Sequence, residues 1–357
     1  MVESTPGMPP RQRRVPTWLR RLWLVGCGLL AGGLVFEVAL RLLEGHSLWP
    51  PLLPEPYVDN AILYRTTPTR LYELRPGVDE VVGRNRVRIR INSAGLRDDR
   101  EYAVPKQPGV RRLVVLGDSY TFAGKVPLEQ TFPKRLEALL NAGTTGVRYE
   151  VLNLAVPGYN TRQQRLNLEE RGLAFEPDLV LVSFVLNDAV PAAQLMPLDA
   201  RVPLPLRRLL KRFATVQFLA AGLKRLPAIL ARRPFKGGSE AVELAEGTQG
   251  WQTVRESLLG IQRLTARAGA GLMVAVWPMM EGLDSGYPFT AQHALVSRFC
   301  EEHSIPVVDL LPAFAGAKPE ALWVARDDHH PNGEAQQKAV SAIDSALTER
   351  GLLRHRP

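Results

Sequence analysis

The chain has 357 residues, 45% of them apolar and 23% charged, a balance that excludes wholesale disorder and a polytopic membrane protein. Two cysteines, Cys27 and Cys300, exclude a disulfide framework and a thiolate zinc cluster. The formal charge of +9 is concentrated in two segments. Residues 1–21 carry five Arg against one Glu, and residues 201–236 carry ten Lys/Arg and no acid, which leaves the remainder at −5. With no recognition motif and few interleaved aromatics, no nucleic-acid partner is expected; basic residues beside a bilayer explain the pattern more simply.

Residues 1–21 read as a basic tail. An unbroken apolar run from Leu22 to Phe36 continues through Leu43, interrupted by Glu37 and Arg41, which are four apart and can pair on one helix face. A helix over 22–43 is about 33 Å long, enough to span a bilayer core. Five arginines precede the run and Arg41 is the first cation near its far end, so a retained anchor would leave the tail in the cytoplasm and the bulk of the chain on the extracytoplasmic side. No small-x-small cleavage site follows promptly. Leu24-Val25-Gly26-Cys27 matches a lipobox, but the apolar run continues past the cysteine.

Residues 44–110 read as a Pro-rich linker followed by a small β-rich prelude. Arg84–Asn92 alternates Arg with Val and Ile, the period of a half-exposed strand, and Asn92-Ser93-Ala94-Gly95 supplies a turn. From residue 111 to about 350 the chain alternates strand and helix. Strands are expected at Leu113–Leu116, Tyr149–Leu154, Asp178–Phe184, Leu272–Val276 and Pro306–Leu310. Helices are expected near Leu128–Leu140, Thr161–Leu173, Thr253–Ala268, Ala291–Glu302 and Gly333–Leu347. This order predicts an α/β fold: three layers, α/β/α and flavodoxin-like, with a five-stranded parallel sheet and one N-terminal transmembrane helix before it.

In such a sheet, functional groups collect at the C-terminal ends of the strands. Gly117-Asp118-Ser119 follows the first strand, Pro157-Gly158 the second and Asn187-Asp188 the third. Asp327-Asp328-His329-His330-Pro331-Asn332 precedes the last helix. Each could be plain turn or cap chemistry. Together they offer a nucleophile, a base with a carboxylate, and donors for a developing oxyanion. Serine needs an imidazole to take its proton, and the imidazole needs a carboxylate to fix its tautomer. An Asp three residues before a His on a tight turn can reach the far ring nitrogen. Adjacent residues in a turn rarely converge on one ion, and no His-x-x-x-His helix supports a metal, so neither metal nor cofactor is expected.

The blocks Leu116-Gly-Asp-Ser-Tyr-Thr121, Asn153-Leu-Ala-Val-Pro-Gly158, Leu186-Asn187-Asp188 and Asp327-Asp-His-His330-Pro-Asn occur in the order of the SGNH (GDSL-type) hydrolase family. The chain resembles that family over about 111–350. Asn92–Arg97 resembles the lead-in of its membrane-anchored bacterial members. The resemblance implies Ser119 as nucleophile, His330 as base rather than His329, and Asp327 as the orienting carboxylate. It implies an oxyanion hole from the backbone N–H groups of Ser119 and Gly158 and the side chain of Asn187. One departure is Val185, where the family often has Gly two residues before the Asn.

Residues 189–250 form a basic insertion. Leu204–Leu230 has a helical pattern punctuated by Arg/Lys pairs, read either as a packed hairpin or as a lid meeting anionic lipid or glycan. The leading expectation is a serine esterase acting on a lipid or an acylated glycan. The alternatives are an O-acetyltransferase or acetylesterase on an envelope polysaccharide, and a non-catalytic binding module.

Overall fold

The structure, a computed structural model, describes residues 17–44, 60–82, 86–142, 146–191, 213, 215–216, 243–284, 286–326 and 328–352. The chain divides into two units, residues 1–55 with 202–234, and residues 56–201 with 235–357.

In the first unit, Thr17–Glu44 is one helix of 28 residues. Its stretch Arg20–Leu40 has a mean hydropathy of 1.9 and is long and apolar enough to cross a membrane, a description a signal sequence also meets. Glu37 accepts hydrogen bonds from the backbone N–H and the hydroxyl of Thr215, both at 2.8 Å. The expected partner Arg41 has a side chain outside the described residues. So do the tail, the Pro-rich linker and most of Leu204–Leu230.

The second unit is built on a parallel sheet of order β6-β5-β7-β8-β9. Its strands are β5 (Val110–Leu116), β6 (Arg148–Asn153), β7 (Leu179–Val185), β8 (Gly271–Trp277) and β9 (Val307–Asp309). Because successive side chains point to opposite faces, each strand feeds two cores. Val114, Leu116, Val180 and Val182 pack with Val254, Leu258 and Ile261 of the helix Gln249–Arg267 and with Val296 and Phe299 of the helix Thr290–Glu302. Leu113, Val115, Leu179 and Leu181 pack with Phe132 and Leu136 of the helix Phe132–Asn141 and with Ala339, Val340 and Ile343 of the helix Gly333–Glu349. Burial on both faces explains why these strands read as continuous apolar runs. The chain order reverses between β5 and β7, which opens a crevice at their C-terminal ends.

Ahead of the sheet, β1 (Tyr64–Thr67) pairs with β2 (Leu71–Leu74) and β3 (Asp79–Val82) with β4 (Val87–Arg90), both antiparallel. Tyr72, Ile89 and Ile91 from this prelude pack with Phe122, Val156 and Tyr159, so it buttresses the loops after β5 and β6. A buried guanidinium, Arg97, joins the two. It donates to the carbonyls of Phe122, Ala123 and Val126. The last pair, β10 (Trp323–Ala325) with β11 (Asp328–Pro331), is an antiparallel hairpin that the strand–helix reading did not contain.

Candidate active site

Ser119 opens a single helical turn, Ser119–Phe122, directly after β5. The carboxylate of Asp118 caps the turn by accepting from Tyr120 N at 2.9 Å. Gly117 permits the tight bend: a Cβ there would lie 2.3 Å from Thr121 Oγ1. The turn ends at Ala123 in the left-handed region (φ 52°, ψ 47°), a conformation a non-glycine residue rarely takes. Arg97 holds it by gripping the carbonyls on either side.

His330 reaches the serine from β11. Its Nε2 lies 2.9 Å from Ser119 Oγ, and its Nδ1 lies 2.5 Å from Asp328 Oδ1. Asp328 Oδ1 also accepts from the backbone N–H of His330, and Asp328 Oδ2 pairs with Lys125 Nζ at 2.5 Å. The carboxylate described on the far ring nitrogen is Asp328; the expected carboxylate, Asp327, lies outside the described residues. Residues 328–331 are extended, so residues two apart share a face and Asp328 and His330 point the same way. His329 points the other way. Its ring stacks on Trp323 (centroids 3.8 Å apart) and its Nδ1 is 2.7 Å from Glu281.

Burial works against the charged form of His330, but the hydrogen bond and charge of Asp328, with the charge of Asp118, outweigh it and raise its pKa above the ordinary imidazole value. Asp328 shows the reverse balance. Burial disfavours its carboxylate, yet His330 and Lys125 hold it well below the usual range. Asp118 is fully buried, and burial raises its pKa despite donors from Tyr120 and Asn187. The Ser119 hydroxyl lies 3.4 Å from Asp118 Oδ2, so the nearer imidazole is the better acceptor for its single proton.

Gly158 has φ 77°, a conformation suited to glycine, in a turn anchored by Tyr159 N on Val156 O and by Tyr72 OH on Pro157 O. Asn187, in a short 3-10 turn after β7, donates one N–H to Asp118 Oδ2 at 3.2 Å. The Val185 side chain is fully buried in the core with Trp277 and Leu181. Among the described residues, no group of three or more His, Cys, Asp or Glu is placed to hold a metal ion. Two contributors were given no role by the sequence, although Arg97 closes the Asn92–Arg97 block. Lys125 arrives from a loop, and Arg97 acts through backbone carbonyls 25 to 29 residues away.

The GDSL-like lipase/acylhydrolase family model matches residues 115–338. Among solved structures, TesA is similar at 17% identity with a TM-score of 0.44, over 68% of this chain and 100% of that chain. A variant of Axe2, an acetyl-xylooligosaccharide esterase from Geobacillus, is similar at 19% identity with a TM-score of 0.43, over 69% of this chain and 97% of that one. A two-domain esterase active on acetylated mannans is similar at 13% identity with a TM-score of 0.43, over 67% of this chain and 49% of that one. A search of curated proteins finds no match to this sequence.

Proposed function

Since the chain belongs to the GDSL-like lipase/acylhydrolase family and is an ester-bond hydrolase, we propose that it cleaves carboxylic esters through an acyl-enzyme on Ser119, with His330 as base and Asp328 as its orienting carboxylate. The observation that carries this reading is the continuous line from Ser119 Oγ through His330 to Asp328, at 2.9 and 2.5 Å. Ser119 Oγ bonds to the carbonyl carbon as its proton passes to Nε2. The tetrahedral oxyanion takes donors from the backbone N–H of Ser119, the backbone N–H of Gly158 and the Asn187 amide. Asp118 holds one Asn187 N–H and leaves the second for substrate. Collapse breaks the bond to the leaving oxygen, which receives the proton from Nε2. Water then gives a proton to Nε2 and attacks the acyl carbon; the bond to Ser119 Oγ breaks and Oγ takes that proton back from Nε2, freeing the acid and restoring the enzyme.

The test is hydrolysis of p-nitrophenyl acetate by the full-length chain in detergent. Wild type is expected to turn over, and Ser119→Ala to fall to the uncatalysed rate. Equal activity in the two would sink the reading. A second reading keeps the same acyl-enzyme and makes the substrate an acylated envelope glycan, with water or a sugar hydroxyl as acceptor. The apolar helix Thr17–Glu44 favours it, because a retained anchor would hold the domain at the outer face of the bilayer. Mass analysis of products with and without a glycan acceptor separates water from sugar.

A further inference from the structure

We propose that Lys125 is a positioning residue of this centre: its ammonium holds Asp328 in line with His330 and offsets the negative charge around that imidazole. The inference rests on the reading of Ser119 and His330 as nucleophile and base.

Three observations carry it. First, Asp328 is shared end to end. One oxygen meets His330 Nδ1 and the other meets Lys125 Nζ, each at 2.5 Å, so the lysine removes the carboxylate's freedom to rotate away from the ring. Second, the pair is withdrawn from water. The Lys125 side chain is 15% exposed and the Asp328 side chain 17%, unlike the mobile surface pairs that contribute little. Third, the loop carrying Lys125 is held in place. Val126 N bonds to Ala123 O, and the buried Arg97 guanidinium spans the carbonyls before and after Lys125, those of Ala123 and Val126, each at 2.6 Å. A long flexible side chain is thus delivered from a fixed backbone position.

Among the described residues, the charges facing His330 come from three elements. Asp328 lies on β11, Asp118 lies before the nucleophile turn, and Lys125 lies after it. The Tyr120 ring packs against the imidazole at 5.6 Å, and the neighbouring His329 is paired with Glu281. Without Lys125 the imidazole would face the carboxylates of Asp328 and Asp118 with no compensating cation among the described residues. Its protonated form would then persist to higher pH, and Asp328 would lose the partner on its outer oxygen.

The experiment is the rate of fluorophosphonate labelling of the full-length chain in detergent from pH 5 to 9, for wild type, K125M, K125Q and K125R. Thermal melting of each checks the fold. K125M is expected to move the midpoint of the acid limb up by about one pKa unit and to lower the plateau rate about tenfold. K125Q, which keeps a hydrogen-bond donor without charge, is expected to show the same midpoint shift and carries the test if K125M does not fold. K125R should keep the wild-type midpoint. A folded neutral variant with unchanged midpoint and plateau overturns the proposal, as does a K125R midpoint displaced as far as that of the neutral variants. Failure of the underlying reading is seen separately, because folded wild type would then not label at all.

Discussion

Replacing Asp328 with Asn tests the carboxylate assignment against its neighbour. The imidazolium formed as Ser119 attacks sits against a carboxylate 2.5 Å away. Charge centres about 4 Å apart in an effective dielectric of about 20 attract by about 4 kcal/mol, which is the ceiling. The His330 side chain is 45% exposed, and Lys125 already draws on the same carboxylate, so about half of that is a reasonable floor. A loss of about 2 to 4 kcal/mol of transition-state stabilisation is a fall of about 30- to 1,000-fold in kcat/KM. An amide that donates to Nδ1 would leave the proton on Nε2, where it blocks uptake from Ser119, and this pushes the result toward the larger figure. The pH profile supplies a sign as well. Asp328 helps raise the pKa of His330, so the acid limb lies above the ordinary value of about 6.5 in wild type and moves down in Asp328→Asn, even as the plateau falls. Asp327→Asn is expected to stay within about threefold of wild type. Steady-state hydrolysis of p-nitrophenyl acetate by both variants reads all of this. A severe loss in Asp327→Asn beside a mild one in Asp328→Asn would move the orienting role to Asp327.

Three further outcomes follow from the same geometry. Arg97→Met strips a buried guanidinium from three carbonyls and should cost about 3 kcal/mol or more, read as a lower thermal midpoint together with slower labelling of Ser119; an unchanged midpoint would show that the clamp is dispensable. Asp188 is fully buried, and burial, reinforced by the charge of Asp118, raises its pKa strongly. Its charged form therefore lowers stability increasingly as pH rises above the unfolded value of about 3.9, up to the folded pKa. Asp188→Asn should raise the melting temperature at pH 7, where it removes the buried charge, and lose that advantage near pH 3, where the acid is protonated in both states; a lower melting temperature at pH 7 would contradict this. His329→Ala should keep at least half of wild-type activity, because that ring is engaged with Trp323 and Glu281, whereas His330→Ala should lose nearly all of it; the reverse ranking would exchange the two bases.

The sheet was legible because its strands are buried on both faces. A run such as Leu179–Val185 is apolar at every position but Ser183, and the expected strand 178–184 is displaced from it by a single residue. Helix starts were less legible. The pattern near 128–140 resolves into a 3-10 turn at Leu128–Gln130 and a helix that begins at Phe132, with Thr131 as cap and Pro133 in the first turn. At the site, Ser119, Gly158, Asn187 and His330 could be singled out because each follows a strand or precedes a helix. Spacing alone does not bring Asp328 to the ring of His330, because a side chain two residues away reaches it only where the segment is extended. That extension comes from the short antiparallel pairing of β11 with β10, which carries a register shift and leaves no plain alternation in the sequence. The roles of Lys125 and of Arg97, the last residue of the Asn92–Arg97 block, were not legible for a related reason. Their partners are a carboxylate some 200 residues later and a set of backbone carbonyls, neither of which leaves a local pattern.

The most direct test of the central claim is peptide mass mapping of the full-length chain after fluorophosphonate treatment, beside Ser119→Ala and His330→Ala. One phosphonyl adduct on Ser119 is expected in wild type, none in Ser119→Ala, and a labelling rate reduced at least a hundredfold in His330→Ala. An adduct on another residue, or no adduct on folded wild type, would contradict that claim.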